Sequence, residues 1–287
     1  MKTDDHNTRE AKHNLALLDH LLRESKLYRK SADYKDLLDF VARMRNFAPF
    51  NAMLLRVQKP GLSYAASVRD WQDRFGRRPK ECARPLIVLW PFGPVGLVYD
   101  VADTEGRPLP QDVFCFTAQG VMTEAELALM LKRIEDKNIE TYKMDTGDRS
   151  AGAIRVMREA AGKDKPRQYR LYLNQNHPIP VQFTTLAHEL AHLCLGHIGP
   201  DDRLNAPNRR RVDIIHRELE AESVAYIICA RNGIESKSQV YLASYMAENT
   251  TIDDIEVYQV MRAAGHVETL LGLARHTTFK HTGTTGE

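Results

Sequence analysis

Apolar residues recur at three- and four-residue intervals in several long stretches of the chain and at shorter intervals in a few others. Leu15, Leu18, Leu21 and Leu22 give residues 8–29 a helical stripe, and Leu37, Leu38, Val41 and Met44 do the same for 33–47. A third helix is expected at 49–57, because Pro49 suits a first helical turn. The period then changes. The β-branched runs "PLIVLWPF" (85–92) and "VGLVYDV" (95–101) flank Gly93-Pro94 and predict a hairpin, and "DVFCF" (112–116) predicts a further strand. From Thr123 the helical period returns, opened by a Thr-x-x-Glu capping box between Thr123 and Glu126. Short extended pieces follow, clearest in "RQYRLYLNQ" (167–175), and then helices over about 180–197, 210–232 and 252–274. A composition shift near 117–122 divides the chain into domains at 1–120 and 121–287. The expected class is α+β, with an α+β N-terminal domain followed by a mainly helical domain that carries a small sheet.

Composition narrows the possibilities. The 287 residues are 43% hydrophobic and 27% charged, as in soluble globular proteins. A formal charge of +2 excludes a polycation, so any nucleic-acid role must come from a local patch. No apolar run is long enough to span a membrane, and "MKTDDHNTREAKHN" has no apolar signal core. Cys82, Cys115, Cys194 and Cys229 form no CxxC pair, which disfavours a cysteine zinc site and suits a reducing cytoplasm.

The stretch "TTLAHELAHLCLGH" (184–197) carries the strongest chemical signal. His188 and His192 stand four apart, on one helical face, where two imidazoles can share a zinc ion. Glu189 stands at the rim of that face, placed to take a proton from a metal-bound water. HExxH also arises by chance, so its setting matters. Leu186, Ala187, Leu190, Ala191, Leu193 and Leu195 make the helix largely buried, where unpartnered histidines would be costly. Catalytic zinc usually takes a third protein ligand. A His-x-x-Gly-x-x-His extension would need histidine at position 198, which is Ile198. A glutamate from "RELEAESVAYIICA" (217–230) is the alternative. Glu220 shares a face with Val224, Ile227 and Ile228 and is expected to point inward; Glu218 and Glu222 share the other face, with Glu222 the stronger of those two. A merely solvated acidic face is the competing explanation. His197 is expected to close the helix C-terminus beside Gly196, with orientation of a metal ligand as the alternative. His216 and Tyr226 could stabilise an oxyanion, but ordinary packing or surface roles are favoured for both, and Cys194 is expected to be inert.

The motif pair "HELAHLCLGH" and "ELEAESVAYIIC" resembles the zincin-type metallopeptidase domain of the ImmA/IrrE superfamily. The resemblance implies that the third ligand is the glutamate opening a Glu-Ala-Asn-like motif, here Glu220 in "EAES", with Glu222 where asparagine is common. "FAPFNAMLLRVQKPGLSYAASVRDWQDRFGRRPKECARPLIVLWPF" with "LVYDVADTEGRPLP" is similar to the N-terminal domain of ArdC-type plasmid antirestriction proteins. That likeness implies a single-stranded-DNA-binding domain ahead of a zincin-like one. The residues permit it. Arg56, Lys59, Arg69, Arg74, Arg77, Arg78, Lys80 and Arg84 crowd one segment, interleaved with Phe50, Tyr64, Trp71 and Trp90. Cations can neutralise phosphates while aromatic faces stack bases; the alternative is a basic surface over an aromatic core, with Trp71 and Trp90 inside. The expected function is a cytoplasmic zinc metallopeptidase-like protein with antirestriction or DNA-protecting roles and an unidentified protein substrate. Two alternatives stand beside it: a DNA-binding protein with a structural zinc, and a narrow peptidase whose N-terminal domain recognises protein.

Overall fold

The computed structural model describes residues 31–89, 95–108, 122–146, 151–161, 165–235 and 255–274. The helix expected at 8–29, the strand at 112–116, Trp90, Cys115 and nearly all of the 117–122 boundary lie outside the described residues. Helix α1 (Ser31–Arg43) buries Tyr34, Leu37, Leu38 and Val41, the stripe its sequence period marks. Helix α2 (Pro49–Gln58) has its proline in the first turn and buries Ala52, Met53, Leu54 and Leu55. Strand β1 (Ala65–Ala66) is too short to carry any period. Helix α3 (Val68–Phe75) is capped by the Ser67 side chain and ends where Gly76 takes φ +58°. Strand β2 (Arg77–Pro79) pairs with β5 (Thr104–Gly106) in a two-stranded ribbon. Between them, β3 (Leu86–Val88) and β4 (Gly96–Asp100) form the expected antiparallel pair, and β1 joins the other edge of β4.

The outer edge of β3 is completed by helix side chains. Asn51 donates to the Leu89 carbonyl and accepts from the Leu89 N–H, both at 2.9 Å. Gln58, two turns on, does the same to Ile87 at 2.8 Å. These amides stand in for a neighbouring strand and satisfy backbone groups that an edge otherwise leaves open.

Helix α4 (Glu124–Glu135) shows both limbs of its capping box. Strands β6 (Ile139–Met144), β7 (Gly152–Arg158) and β8 (Gln168–Asn174) form a sheet in the order β6-β8-β7, parallel between β6 and β8 and antiparallel between β8 and β7. Helices α5 (Ile179–Cys194), α6 (Ile214–Arg231) and α7 (Val257–Leu271) pack on one another, with α5 against β7 and β8. The architecture is α+β with small sheets.

One hydrophobic core runs from Tyr34 through Leu55, Ile134 and Leu190 to Leu271. Each fully buried Leu, Ile or Val is worth roughly 1.5–3 kcal/mol, so helices α1 and α2 draw much of their stability from α6 and α7. Arg231 adds a polar tie. It pairs with Glu268 at 2.5 Å and donates to the carbonyls of Val41, Met44, Arg45 and Phe47. Tyr64, Ala66 and Trp71 form a second, small cluster, and the Trp71 indole donates to the Tyr99 carbonyl at 3.0 Å. No helix among the described residues is long and apolar enough to cross a membrane.

Candidate metal centre

Helix α5 carries HExxH in its last two turns, and α6 lies beside it. His188 Nε2 and His192 Nε2 approach to 3.1 Å. The Glu218 carboxylate on α6 meets both, at 3.4 Å from His188 Nε2 and 3.6 Å from His192 Nε2. One donor atom from each of the three lies within 4.8 Å of the others. Two imidazole nitrogens at this range repel unless a cation or a proton lies between them. The surroundings favour positive charge there. Burial works against a charged His188, but Glu218 and Glu222 outweigh it and lift its pKa to about 10. His188 and His192 in turn hold the Glu218 carboxyl well below the usual carboxylate range. Glu222 faces the other side of the His188 ring, 3.4 Å from Nδ1.

Glu189 follows His188 and sits against strand β7. Burial raises its carboxyl above the ordinary value, opposed by the two histidines, and the Ile154 backbone amide hydrogen-bonds it. The close approach has a local cause. A Cβ on Gly152 would stand 2.6 Å from both the Thr185 methyl and the Tyr172 carbonyl, so only glycine lets β7 lie this near α5. The Ala151 carbonyl accepts from Asn174 next to β8. Strand alternation therefore turns the Ile154 N–H away from β8 and toward Glu189.

The structure departs from expectation at the third position. It brings Glu218 to the histidine pair, whereas Glu220 is fully buried one helical face away. Both Glu220 oxygens are taken by Arg209, at 2.6 and 2.7 Å, and one also meets His197 Nε2 at 2.9 Å. Burial alone would push the Glu220 carboxyl up, but His197 and Arg209 hold it below its ordinary value. The inward direction read from Val224 and Ile227 is right; the partner waiting there is an arginine. Glu222 faces His188 without completing the trio.

His197 also differs from its expected role as a simple helix terminator. Gly196 takes φ +77°, its N–H bonds the Leu193 carbonyl, and the His197 N–H bonds the His192 carbonyl at 3.0 Å. This double closure is a Schellman turn, which folds the second residue past the cap back onto the last turn of its own helix. It delivers the His197 ring to His192, Nδ1 to Nδ1 at 3.0 Å. Burial drives the His197 pKa down, opposed by the hydrogen bond to Glu220. A Gly-His pair four and five residues after the second metal-type histidine was the available signal. Tyr226 donates to Asp39 on α1, His216 pairs with Asp213 at the start of α6, and neither joins the trio. Cys194 is buried, which pushes its thiol up to about 12.

The basic segment is arranged differently. Lys59 pairs with Asp100 at 2.6 Å and Asp103 at 2.8 Å, and Arg78 with Glu105 at 3.0 Å. Arg77 donates to Thr104 and to the Arg107 carbonyl, Lys80 to the Ala102 carbonyl, and Arg56 to the Pro60 carbonyl. Arg74 lies over the Phe75 ring. Trp71 and Tyr64 are 0% and 4% exposed, so these two of the expected stacking faces are inside the protein.

Residues 134–229 match a family profile described as Peptidase_M78, IrrE N-terminal-like domain. No curated protein sequence matches the chain. Two crystal structures of the antirestriction protein ArdC from plasmid R388, one metal-free and one Mn(II)-bound, align over 84% of this chain and 96% of theirs, at 16% identity and a TM-score of 0.37. The stretch from the end of α4 to the end of α6 is thus similar to an IrrE N-terminal-like domain.

Proposed function

We propose that the chain is a zinc-dependent, metallopeptidase-like protein whose metal is held by His188, His192 and Glu218. One observation carries this reading. Ligand atoms about 2.0–2.1 Å from a tetrahedral zinc stand about 3.3–3.4 Å apart; the two imidazole nitrogens stand 3.1 Å apart, and the Glu218 carboxylate reaches them at 3.4 and 3.6 Å, with one oxygen toward each. Two imidazoles and a carboxylate suit zinc among the divalent ions. Bound there, zinc would supply a Lewis acid and lower the pKa of a water to about 7. Glu189 is the general base. Its raised, buried carboxylate accepts a proton and returns it to the leaving amine. The peptide would lie along β7, whose outer backbone groups run beside Glu189 and can bond an extended segment. Among the described residues, Cys82, Cys194 and Cys229 form no disulfide, which suits a cytoplasmic setting. The test is metal analysis of purified protein. One zinc per chain in wild type and none in His192→Ala supports the site, and full zinc in that variant removes it.

A second reading gives residues 1–120 a part in binding single-stranded DNA, with an antirestriction or DNA-protecting role. Its support is the β2–β5 ribbon, where Arg77 and Arg78 stand side by side and the Arg78 side chain is 75% exposed. With Tyr64 and Trp71 buried, such binding would use phosphates and not stacked bases. Binding of the full chain to single-stranded DNA should then fall steeply with salt. No affinity at low salt would remove this reading.

A further inference from the structure

We propose that His197 is a positioning residue for the metal site, the middle link of a relay that runs Arg209–Glu220–His197–His192. The inference rests on the zinc site proposed above. His192 Nε2 faces His188 and Glu218, so a bound metal would take the lone pair of that nitrogen and leave the ring proton on Nδ1. The atom opposite is His197 Nδ1, at 3.0 Å. Two facing ring nitrogens form a hydrogen bond only if one carries the proton and the other a lone pair. His192 therefore donates, and His197 accepts and carries its own proton on Nε2. That nitrogen lies 2.9 Å from Glu220 Oε2 and donates to it. The carboxylate can stay charged in a fully buried place because Arg209 grips both oxygens. Each hydrogen bond of the relay thus pairs one donor with one acceptor, and a single assignment of protons is consistent with all of them. A ligand imidazole backed by a carboxylate is fixed in tautomer and orientation and made a stronger base. Here the carboxylate acts through a second imidazole. The Schellman turn explains the extra link: it places His197, not an acid, under the last turn of α5.

The test uses the full chain and zinc itself. Zinc dissociation constants come from competition with a chromophoric chelator for wild type, His197→Ala and His197→Asn, with circular dichroism of each metal-free protein to check the fold. The alanine variant should lose about 10- to 100-fold in affinity. Asparagine, whose amide oxygen can take the place of Nδ1, should recover most of that loss. A folded alanine variant that binds zinc as wild type does overturns the relay, and so do equal losses in both variants, which would mean packing alone. If alanine prevents folding, wild type decides. Nitrogen-15 imidazole spectra of the zinc-loaded protein should show His192 protonated on Nδ1 and His197 neutral and protonated on Nε2. The opposite tautomer at His197 overturns the relay. A wild type that takes up no zinc overturns the metal site as well, whereas zinc-binding wild type with an unaffected alanine variant removes the relay alone.

Discussion

The two charged regions of this chain use similar residue densities to opposite ends. Around α5 and α6, polar side chains converge: two imidazoles and three carboxylates, those of Glu189, Glu218 and Glu222, crowd one spot. In the segment from Arg56 to Lys80, polar side chains diverge. Each described cation there finds a nearby carbonyl, carboxylate or ring, while the aromatics turn inward. Convergence of like charge is costly without a cation to compensate it. Divergence is simply how a basic surface over an apolar cluster is built. Residue identity alone does not separate the two arrangements; direction does.

The largest test of that contrast is a pair of glutamate variants. Glu220→Ala would leave the buried Arg209 charge with only the more distant Glu256 carboxylate and should destabilise the metal-free protein by about 3 kcal/mol, read by denaturant unfolding. Glu218→Gln, at a carboxylate 42% exposed, should cost the metal-free protein less than that and abolish stoichiometric zinc. The reverse pattern would return the ligand role to Glu220. Next in size, Glu189→Gln should keep zinc and fold and lose about 10²- to 10⁴-fold in turnover of any cleaved peptide; undiminished cleavage removes Glu189 as the base. Zinc affinity itself should depend on pH. His188 holds a proton up to about pH 10 in the metal-free protein, and zinc must displace it. Affinity should therefore rise by about tenfold per pH unit below that value and level above it, as chelator competition between pH 6 and 9 would record. A flat profile would mean that no proton competes. Smallest is the triple change of Arg77, Arg78 and Lys80 to alanine. It should weaken DNA binding across sequences and flatten its salt slope while leaving zinc content alone. An unchanged slope would clear these cations of phosphate contact.

Much of this was legible in the chain. The HExxH helix, the capping box at Thr123 and the helices at α1 and α2 follow from period and end signals that act locally. That Glu218, and not Glu220, lies beside the histidines did not follow, for a physical reason. Helix α6 buries Leu219, Glu220, Ala221, Ser223 and Val224 in near succession, so its sequence has no single apolar stripe to orient it. Pointing inward was readable; pointing at the histidines required knowing where Arg209 would fold back. Strand β1, with two residues, has no period at all, and β6 and β7 carry exposed residues that blur theirs.

Arg231 has a bearing on the order in which the chain can be finished as it is made. The carbonyls of Val41 and Phe47 that it satisfies are translated 190 and 184 residues earlier. At about 5–20 residues per second, that is a delay of roughly 10 to 40 s on the ribosome. Throughout it, the turn between α1 and α2 must leave those carbonyls to water. The N-terminal helices therefore reach their final state only when α6 has emerged. A nascent chain stalled before residue 231 should present that turn to proteases, and one stalled well beyond it should not.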